Sequence, residues 1–234
     1  MDKKTRKKLI LFDIDGTLVL TGGVAMNVMI EAISEISGST ISWNIRDFVG
    51  NTDQNIIRTL LHRKGLNEVQ IVDMVDEILE RYVSQLKIHL NKDGVIQILD
   101  GVENLLQKLK TDEKFSLGLL TGNIIEAAQI KLSKNRLFDF FPLGAFGNDA
   151  LKREQLPPFA IQRAEKYYGY FYDRDNIWIV GDSINDIRCA HANHIKCLAV
   201  ASGHTKQAEL ELYHPNALVN DLNDTKAVMQ ILNS

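Results

Sequence analysis

The chain has 234 residues, of which 45% are hydrophobic and 24% charged, which is the composition of an ordinary globular protein with a sizeable core. Its formal net charge of −3 gives no overall attraction to nucleic acid or to an anionic membrane surface. No apolar run reaches the roughly 18 residues that a membrane-spanning helix needs, so we expect a cytoplasmic protein without a nucleic-acid or membrane partner.

Two minor features are expected to be structural. Cys189 and Cys197 are interpreted as core thiols, since a disulfide framework needs a denser pattern and a structural zinc site needs about four ligands. The basic opening, residues 1–8, is interpreted as a solvated arm, because no apolar stretch with a small-residue cleavage site follows it.

The first predicted element is a strand that ends in carboxylates. Leu9 to Phe12 form a short apolar run, typical of a strand that is buried on both faces. Asp13 and Asp15 follow, and then Gly16 and Thr17. Two carboxylates so close raise each other's cost of ionisation, and burial adds a desolvation penalty. Packing alone gives no reason for such an ending.

The segment from residue 24 to residue 90 is predicted to be helical, without an interrupting strand. Apolar residues recur at spacings of three and four, which predicts helices over residues 24–37, 53–65 and 67–90. Glycine-containing turns flank the segment. We therefore expect an all-helical domain, residues 21–94, inserted after the first strand.

Short apolar strands and helices alternate after about residue 96. Strands are predicted at residues 115–120, 143–147, 177–180, 196–200 and 217–219. Helices are predicted at residues 101–110, 124–135, 155–169, 184–193 and 205–212, and from residue 224. This alternation is typical of the α/β class, here a Rossmann-like three-layer core with a parallel sheet, made of residues 1–20 and 95–234.

Acidic residues follow two of the predicted strands. Ligands of an open parallel sheet bind beyond the carboxyl ends of its strands, so residues there are expected to converge. Asp13 and Asp15 follow the first strand, and Asp182 and Asp186 follow the strand at 177–180. Carboxylates gathered at one edge need a cation. Mg²⁺ fits, because it takes few protein carboxylates and keeps water or substrate oxygens in its other positions.

A third strand end is predicted to bind an anion. Thr121, Gly122 and Asn123 follow the strand at 115–120 and precede a helix. The hydroxyl and the backbone N–H groups would then point outward at a positive helix N-terminus, and phosphate is the commonest anion bound in this way. A metal next to such a helix start is the arrangement that phosphoryl transfer needs.

Three motifs carry a resemblance to a known family. "DIDGT", "TGN" and "GDSIND", in this order and at strand ends, resemble the haloacid dehalogenase superfamily of phosphohydrolases, and the helical insertion is similar to that family's small C1-type cap. "TGG" after the first motif, "FVGNTDQNIIRTLL" and "VASGHTKQAEL" resemble the phosphoglycolate phosphatase-like enzymes. The likeness covers essentially the whole chain.

The resemblance implies a role for each motif residue. Asp13 would attack phosphorus and form an aspartyl phosphate, and Asp15 would protonate the leaving oxygen and then deprotonate the attacking water. The Asp13 carboxylate, the Asp15 carbonyl and Asp182 would hold Mg²⁺, with Asp186 as a further ligand or a neighbour of the ligands. Thr121 would act on the phosphoryl group. The remaining expected substrate-binding residues are Gly16, Thr17, Gly122 and Asn123.

Two assignments stay open at this point. The family places a cation before the last acidic motif, most often a lysine followed by proline, but this chain has Lys152 and Arg153 there and no lysine–proline pair. We favour Arg153, with Lys152 as the alternative. Thr52 and Asp53 are interpreted as N-terminal capping residues of the second predicted helix. The alternative is that they bind substrate.

The expected activity is Mg²⁺-dependent hydrolysis of a small phosphomonoester, such as 2-phosphoglycolate, through an aspartyl phosphate. The partner is then a small phosphorylated metabolite. One alternative is a phosphosugar mutase of the same superfamily, which shares the core residues and differs mainly in the cap. Another is a non-catalytic binding module on this fold. A dehalogenase is disfavoured because Asp15 would have no leaving oxygen to protonate. The sequence does not determine the oligomeric state.

Overall fold

The computed structural model describes residues 7–234. The predicted solvated arm falls mostly on residues 1–6, outside the described residues. The prediction is wrong for Lys8, which is buried and belongs to the first strand. Within residues 7–234, none of the helices combines the length and the apolar character that crossing a bilayer requires.

The described residues form a central six-stranded sheet and a small two-stranded one. The strands are β1 (Lys8–Phe12), β2 (Val19–Leu20), β3 (Gln97–Ile98), β4 (Phe115–Leu120), β5 (Gly144–Ala145), β6 (Ile177–Gly181), β7 (Lys196–Val200) and β8 (Ala217–Val219). The large sheet has the order β5–β4–β1–β6–β7–β8, and every pair in it is parallel. β2 and β3 pair antiparallel, and along the chain they lie directly before and after the helical insertion.

Helices cover both faces of the sheet. They are α1 (Val24–Ser37), α2 (Asp53–Arg63), α3 (Glu68–Leu90), α4 (Val102–Thr111), α5 (Ile125–Lys131), α6 (Leu156–Tyr168), α7 (Ile184–Ala192), α8 (Gln207–Glu211) and α9 (Thr225–Leu232). Short 3₁₀ turns occur at Ile45–Asp47, Lys134–Phe140, Arg153–Gln155 and Arg174–Asn176.

The alternation of side chains along β1 separates two apolar layers. Ile10 and Phe12 pack into one cluster with the insertion, α4 and α9, whereas Leu9 and Leu11 pack into the other with α6 and α7. All four side chains are fully buried, and each contributes roughly 1.5–3 kcal/mol relative to an exposed position. The predicted three-layer α/β class is confirmed.

The insertion contains the three predicted helices, which pack on each other. Residues 38–52 are irregular apart from one 3₁₀ turn, so the prediction of a helical segment throughout is wrong there. Thr52 caps α2, since its hydroxyl accepts a hydrogen bond from the Asn55 N–H, and the Asn67 side chain caps α3. Cys189 and Cys197 are buried and free, as predicted.

Two predicted boundaries on the core are wrong for local reasons. The helix predicted to reach residue 135 ends at Lys131, because Asn135 and Arg136 adopt left-handed backbone angles, with φ of 50° and 56°. The strand predicted at 143–147 shortens to Gly144–Ala145. Neither difference affects the three strands, β1, β4 and β6, whose carboxyl ends carry the predicted site residues.

Candidate active site

Three carboxylates from two neighbouring strand ends form a buried cluster. Asp13 directly follows β1, Asp182 directly follows β6, and Asp186 lies in the first turn of α7. Because β1 and β6 are paired, Asp13 and Asp182 meet although 169 positions separate them, and one oxygen of each of the three side chains lies within 4.8 Å of the others. All three side chains are buried. The predicted convergence is thus present for these three.

Arg153 is the cation of this cluster. Its Nη2 lies 3.1 Å from Asp13 Oδ1 and 2.5 Å from Asp186 Oδ1, and it donates to the Leu120 carbonyl at 3.2 Å. The 3₁₀ turn that begins at Arg153 directs this side chain inward, while Lys152 is exposed. Burial would lower the pKa of Arg153, but the charges of Asp13 and Asp186 raise it above its ordinary value. Of the two candidates for the cation beside the acidic cluster, Arg153 therefore lies there and Lys152 does not.

The cluster still carries an excess of negative charge. Burial raises the pKa of Asp13 to about 6, against the lowering effect of Arg153, and the charge of Asp186 raises it further. Burial and the charge of Asp13 raise the pKa of Asp182 well above its usual range. Asp186 is held by the N–H and the hydroxyl of Ser183, at 3.1 and 2.6 Å. Buried oxygens that share one monovalent cation form a donor set suited to Mg²⁺.

Glycines allow the backbone to approach these carboxylates. Gly16 has a φ of +80°, and a Cβ there would lie 2.4 Å from Asp182 Oδ2. A Cβ on Gly203 would lie 1.7 Å from the same oxygen. Thr17, predicted to bind substrate, is fully buried, and its hydroxyl lies 3.4 Å from Asp182 Oδ1. Gly16 lines the pocket described below, whereas Thr17 does not.

The carboxylate of Asp15 lies apart from the acidic cluster. Its Oδ2 accepts hydrogen bonds from Asn123 Nδ2 at 2.7 Å and from Lys131 Nζ at 2.8 Å. Thr121 is fully buried, and its hydroxyl accepts from the Asn123 N–H at 3.3 Å and from Asn123 Nδ2 at 2.8 Å. In the loop of residues 121–123, which was predicted to point outward, the Thr121 hydroxyl thus bonds to Asn123 within the loop. The Asn123 side chain connects Thr121 to Asp15. Four carboxylates were expected to form one metal-binding group; three of them do lie together, and the carboxylate of Asp15 does not.

Lys131 is a site residue that the sequence analysis missed. Its side chain is 5% exposed and also donates to Asn123 Oδ1 at 2.5 Å. Tyr82 of α3 lies beside it and is buried. Burial alone would lower the pKa of Lys131, but Asp15, Tyr82 and Asp53 raise it above its ordinary value. The available signal was position: Lys131 shares the buried face of α5 with Ala127 and Ala128.

The insertion contacts the core over this site. The N–H of Asp53 donates to the Gly122 carbonyl at 2.8 Å, and Asp53 Oδ2 accepts from the Ile124 N–H at 2.8 Å. The Thr52 hydroxyl donates to the Leu151 carbonyl at 2.6 Å. Thr52 is thus both a cap and a contact with the core. Between the insertion and the core lies a partly open pocket of about 350 Å³, whose floor includes Asp13, Asp15, Thr121 and Arg153 and whose cover comes from the insertion.

The comparison with protein families agrees with this geometry. The family described as "haloacid dehalogenase-like hydrolase" matches residues 10–200. The chain belongs to this family. The family predicted from the three motifs, and the prediction of a hydrolase, are therefore confirmed. The match spans both ends of the helical insertion and all three motif segments.

Curated relatives match over nearly the whole chain. A phosphoglycolate phosphatase of Pseudomonas syringae pv. tomato is 25% identical over 222 residues, which are 92% of this chain and 77% of the relative. A phosphoglycolate phosphatase of Colwellia psychrerythraea is 25% identical over 231 residues, 95% of this chain and 96% of the relative. The expected hydrolase of phosphoric monoesters agrees with these names.

Solved structures share the fold. A predicted phosphatase from Clostridium acetobutylicum superposes with a TM-score of 0.72 at 18% identity, covering 96% of this chain and 99% of that one. A predicted phosphoglycolate phosphatase from Haemophilus somnus has a TM-score of 0.70 at 19% identity, with 97% and 100% coverage.

Proposed function

We propose that this protein is a Mg²⁺-dependent phosphatase that hydrolyses a small phosphomonoester through a phosphorylated Asp13. The observation that carries the proposal is the buried cluster of Asp13, Asp182 and Asp186, of which Asp13 and Asp182 line a pocket of small-ligand size. The family and the names of the curated relatives support the same chemistry. Residues 21–94 are proposed to act as the cap over this reaction.

The acidic cluster fits the metal that the family implies. The Asp13 and Asp182 carboxylates and the Asp15 backbone carbonyl would hold Mg²⁺, with Asp186 as a ligand or a support for Arg153. When bound, Mg²⁺ would neutralise part of the phosphoryl charge and keep Asp13 ionised at neutral pH. Burial raises the pKa of both Asp13 and Asp182, and the neighbouring carboxylates raise it further. A divalent cation would favour the ionised form of both groups.

Asp13 is the proposed nucleophile. Its carboxylate Oδ1 is oriented by Arg153 at 3.1 Å. A carboxylate fixed in this way needs little reorganisation before it attacks phosphorus. Arg153 would also stabilise the negative charge that accumulates on the phosphoryl oxygens, from the side that faces Asp13. The attack forms an Asp13–phosphorus bond and breaks the bond between phosphorus and the ester oxygen.

Asp15 is the proposed general acid and base of the two half-reactions. Lys131 and Asn123 fix its Oδ2, and the carboxylate remains 42% exposed on its other side. Asp15 would give a proton to the departing ester oxygen and then take one from the water that attacks the aspartyl phosphate. The cover from the insertion limits access of water during the first step, and opening of the cap releases the alcohol.

Phosphate release from a panel of phosphomonoesters tests the proposal. We expect turnover that needs Mg²⁺, is inhibited by a chelator, and falls by at least about 10⁴-fold in Asp13→Asn. The variant should keep the native circular dichroism spectrum. Interconversion of sugar phosphates without net phosphate release would indicate a mutase instead. Absence of turnover on every ester would support a binding module.

A further inference from the structure

We propose that the pocket selects phosphomonoesters whose leaving group is uncharged and largely apolar, and disfavours those whose leaving group carries a carboxylate. This inference rests on the proposed phosphatase function and concerns its substrate class. It differs from what the names of the curated relatives suggest, since 2-phosphoglycolate carries a carboxylate on its leaving group.

The walls of the pocket beyond the acidic cluster are mostly apolar, and Thr21, Asn51 and Tyr82 add polar atoms to them. The apolar parts come from β2, α1, the loop before α2, and α2 itself, and the side chains that define them are Leu20, Met26, Met29, Phe48 and Ile56. Met29 and Ile56 are 1% and 3% exposed, so they are fixed by packing. A methylene group of a ligand gains roughly 0.8 kcal/mol on burial against such walls.

The cations that line the pocket in the described part of the chain are already engaged by carboxylates. Arg153 is 4% exposed and is held by Asp13 and Asp186. Lys131 is 5% exposed and is held by Asp15 and Asn123. The remaining basic side chain, His204, is exposed, where attraction between charges is screened by solvent and salt.

The charge of the pocket opposes a second anionic group on the ligand. Four carboxylates line it, from Asp13, Asp15, Asp53 and Asp182, against the two engaged cations. Asp53 comes from the insertion, and its Oδ2 accepts a hydrogen bond from the Ile124 N–H, so this carboxylate lies where the insertion meets the core. A carboxylate on the leaving group would therefore be desolvated without a buried cation of its own and repelled by its neighbours, whereas a methyl group in its place would pack against the apolar walls.

A matched pair of esters tests the inference on the unaltered protein. Ethyl phosphate is 2-phosphoglycolate with the carboxylate replaced by methyl, and butyl phosphate extends the apolar part. With Mg²⁺ present, we expect kcat/KM for butyl phosphate to exceed that for 2-phosphoglycolate by about tenfold or more, with ethyl phosphate between them. A kcat/KM for 2-phosphoglycolate equal to or above that of ethyl phosphate would overturn the inference and leave the phosphatase proposal intact.

Binding of non-hydrolysable analogues gives a second readout that does not need turnover. Propylphosphonate and 3-phosphonopropionate differ by the same exchange of methyl for carboxylate. Calorimetric titration should show at least about tenfold tighter binding of propylphosphonate. Tighter binding of 3-phosphonopropionate, or binding of neither, would overturn the inference. If no ester is hydrolysed, the phosphatase proposal fails, while this titration still decides the selectivity of the pocket.

A designed cation should reverse the preference. Met26→Arg places a guanidinium on the wall formed by α1, at a half-buried position. We expect it to shift the ratio of kcat/KM toward 2-phosphoglycolate by about tenfold, whereas the neutral Met26→Gln leaves the ratio within about threefold of the unaltered protein. A folded Met26→Arg variant with an unchanged ratio would contradict the inference.

Discussion

Replacing Arg153 with methionine should destabilise the magnesium-free protein by roughly 3–5 kcal/mol at pH 8. The substitution keeps an apolar stem but removes the guanidinium that lies between Asp13 and Asp186. Breaking a buried ion pair by removing one partner leaves an uncompensated buried charge, which costs about this much. The Ser183 hydrogen bonds to Asp186 remain, so we expect the lower half of the range.

The loss of stability in Arg153→Met should become smaller as the pH falls. The pKa of Asp13 in the folded protein is about 6, above its usual value of 3.8, and loss of Arg153 raises it further because Arg153 lowers it. A carboxyl group whose pKa is higher in the folded protein than in the unfolded protein lowers the free energy of unfolding as the pH rises. This loss begins near the pKa of the unfolded protein and is complete above the pKa of the folded protein. The variant at pH 5 therefore binds a proton that relieves part of the repulsion.

Urea unfolding in a chelator, at pH 5 and pH 8, measures both effects. The fluorescence of Trp178, which is buried in β6, can report the transition. Lys152→Met is the matched control, because Lys152 is exposed and precedes Arg153 directly. We expect its free energy of unfolding to change by less than about 0.5 kcal/mol. Equal losses for the two variants, or a loss below about 1 kcal/mol for Arg153→Met at pH 8, would refute the assignment of Arg153.

Three further variants probe the surroundings of the site. Asp53→Asn should stabilise the protein by up to roughly 3 kcal/mol above pH 6 and not at pH 4, because burial raises the pKa of Asp53 from 3.8 to about 6; urea titrations across this range check the sign. Lys131→Met should lower kcat by roughly 10–100-fold, since Asp15 loses its fixed orientation; loss of this buried cation also lowers stability, so the control is a native circular dichroism spectrum at the assay temperature. Gly122→Ala should lower kcat/KM by about 100-fold, because its Cβ would lie 1.9 Å from the Asn51 carbonyl oxygen and displace the insertion; steady-state kinetics would contradict this if both constants stayed within twofold.

The strand ends of the site follow directly from the sequence. Strand β4 has the predicted bounds, Phe115–Leu120, and an apolar run followed by a polar cluster also identifies the carboxyl ends of β1 and β6. Parallel strands align these ends at one edge, so the meeting of Asp13 with Asp182 was predictable from topology alone.

The side-chain directions around the site did not follow from the sequence. Lys152 and Arg153 are adjacent, and a 3₁₀ turn without apolar periodicity decides which one points inward. Lys131 falls on the buried face of a seven-residue helix, a position where a lysine usually extends its charge to solvent. Its burial depends on Asp15 and Asn123, which come from other strand ends, so the pattern of α5 shows that Lys131 lies on the buried face but does not identify its partners.

The most direct test of the account is to locate the phosphoryl group on the protein during turnover. The reaction with Mg²⁺ and an accepted ester is quenched in acid and treated with borohydride, which reduces an aspartyl phosphate to homoserine, and the peptide containing Asp13 and Asp15 is sequenced by mass spectrometry. We predict homoserine at position 13 alone, and only when both Mg²⁺ and ester are present. Phosphate release without this modification, or modification at Asp15 or Asp182 instead, would contradict the account.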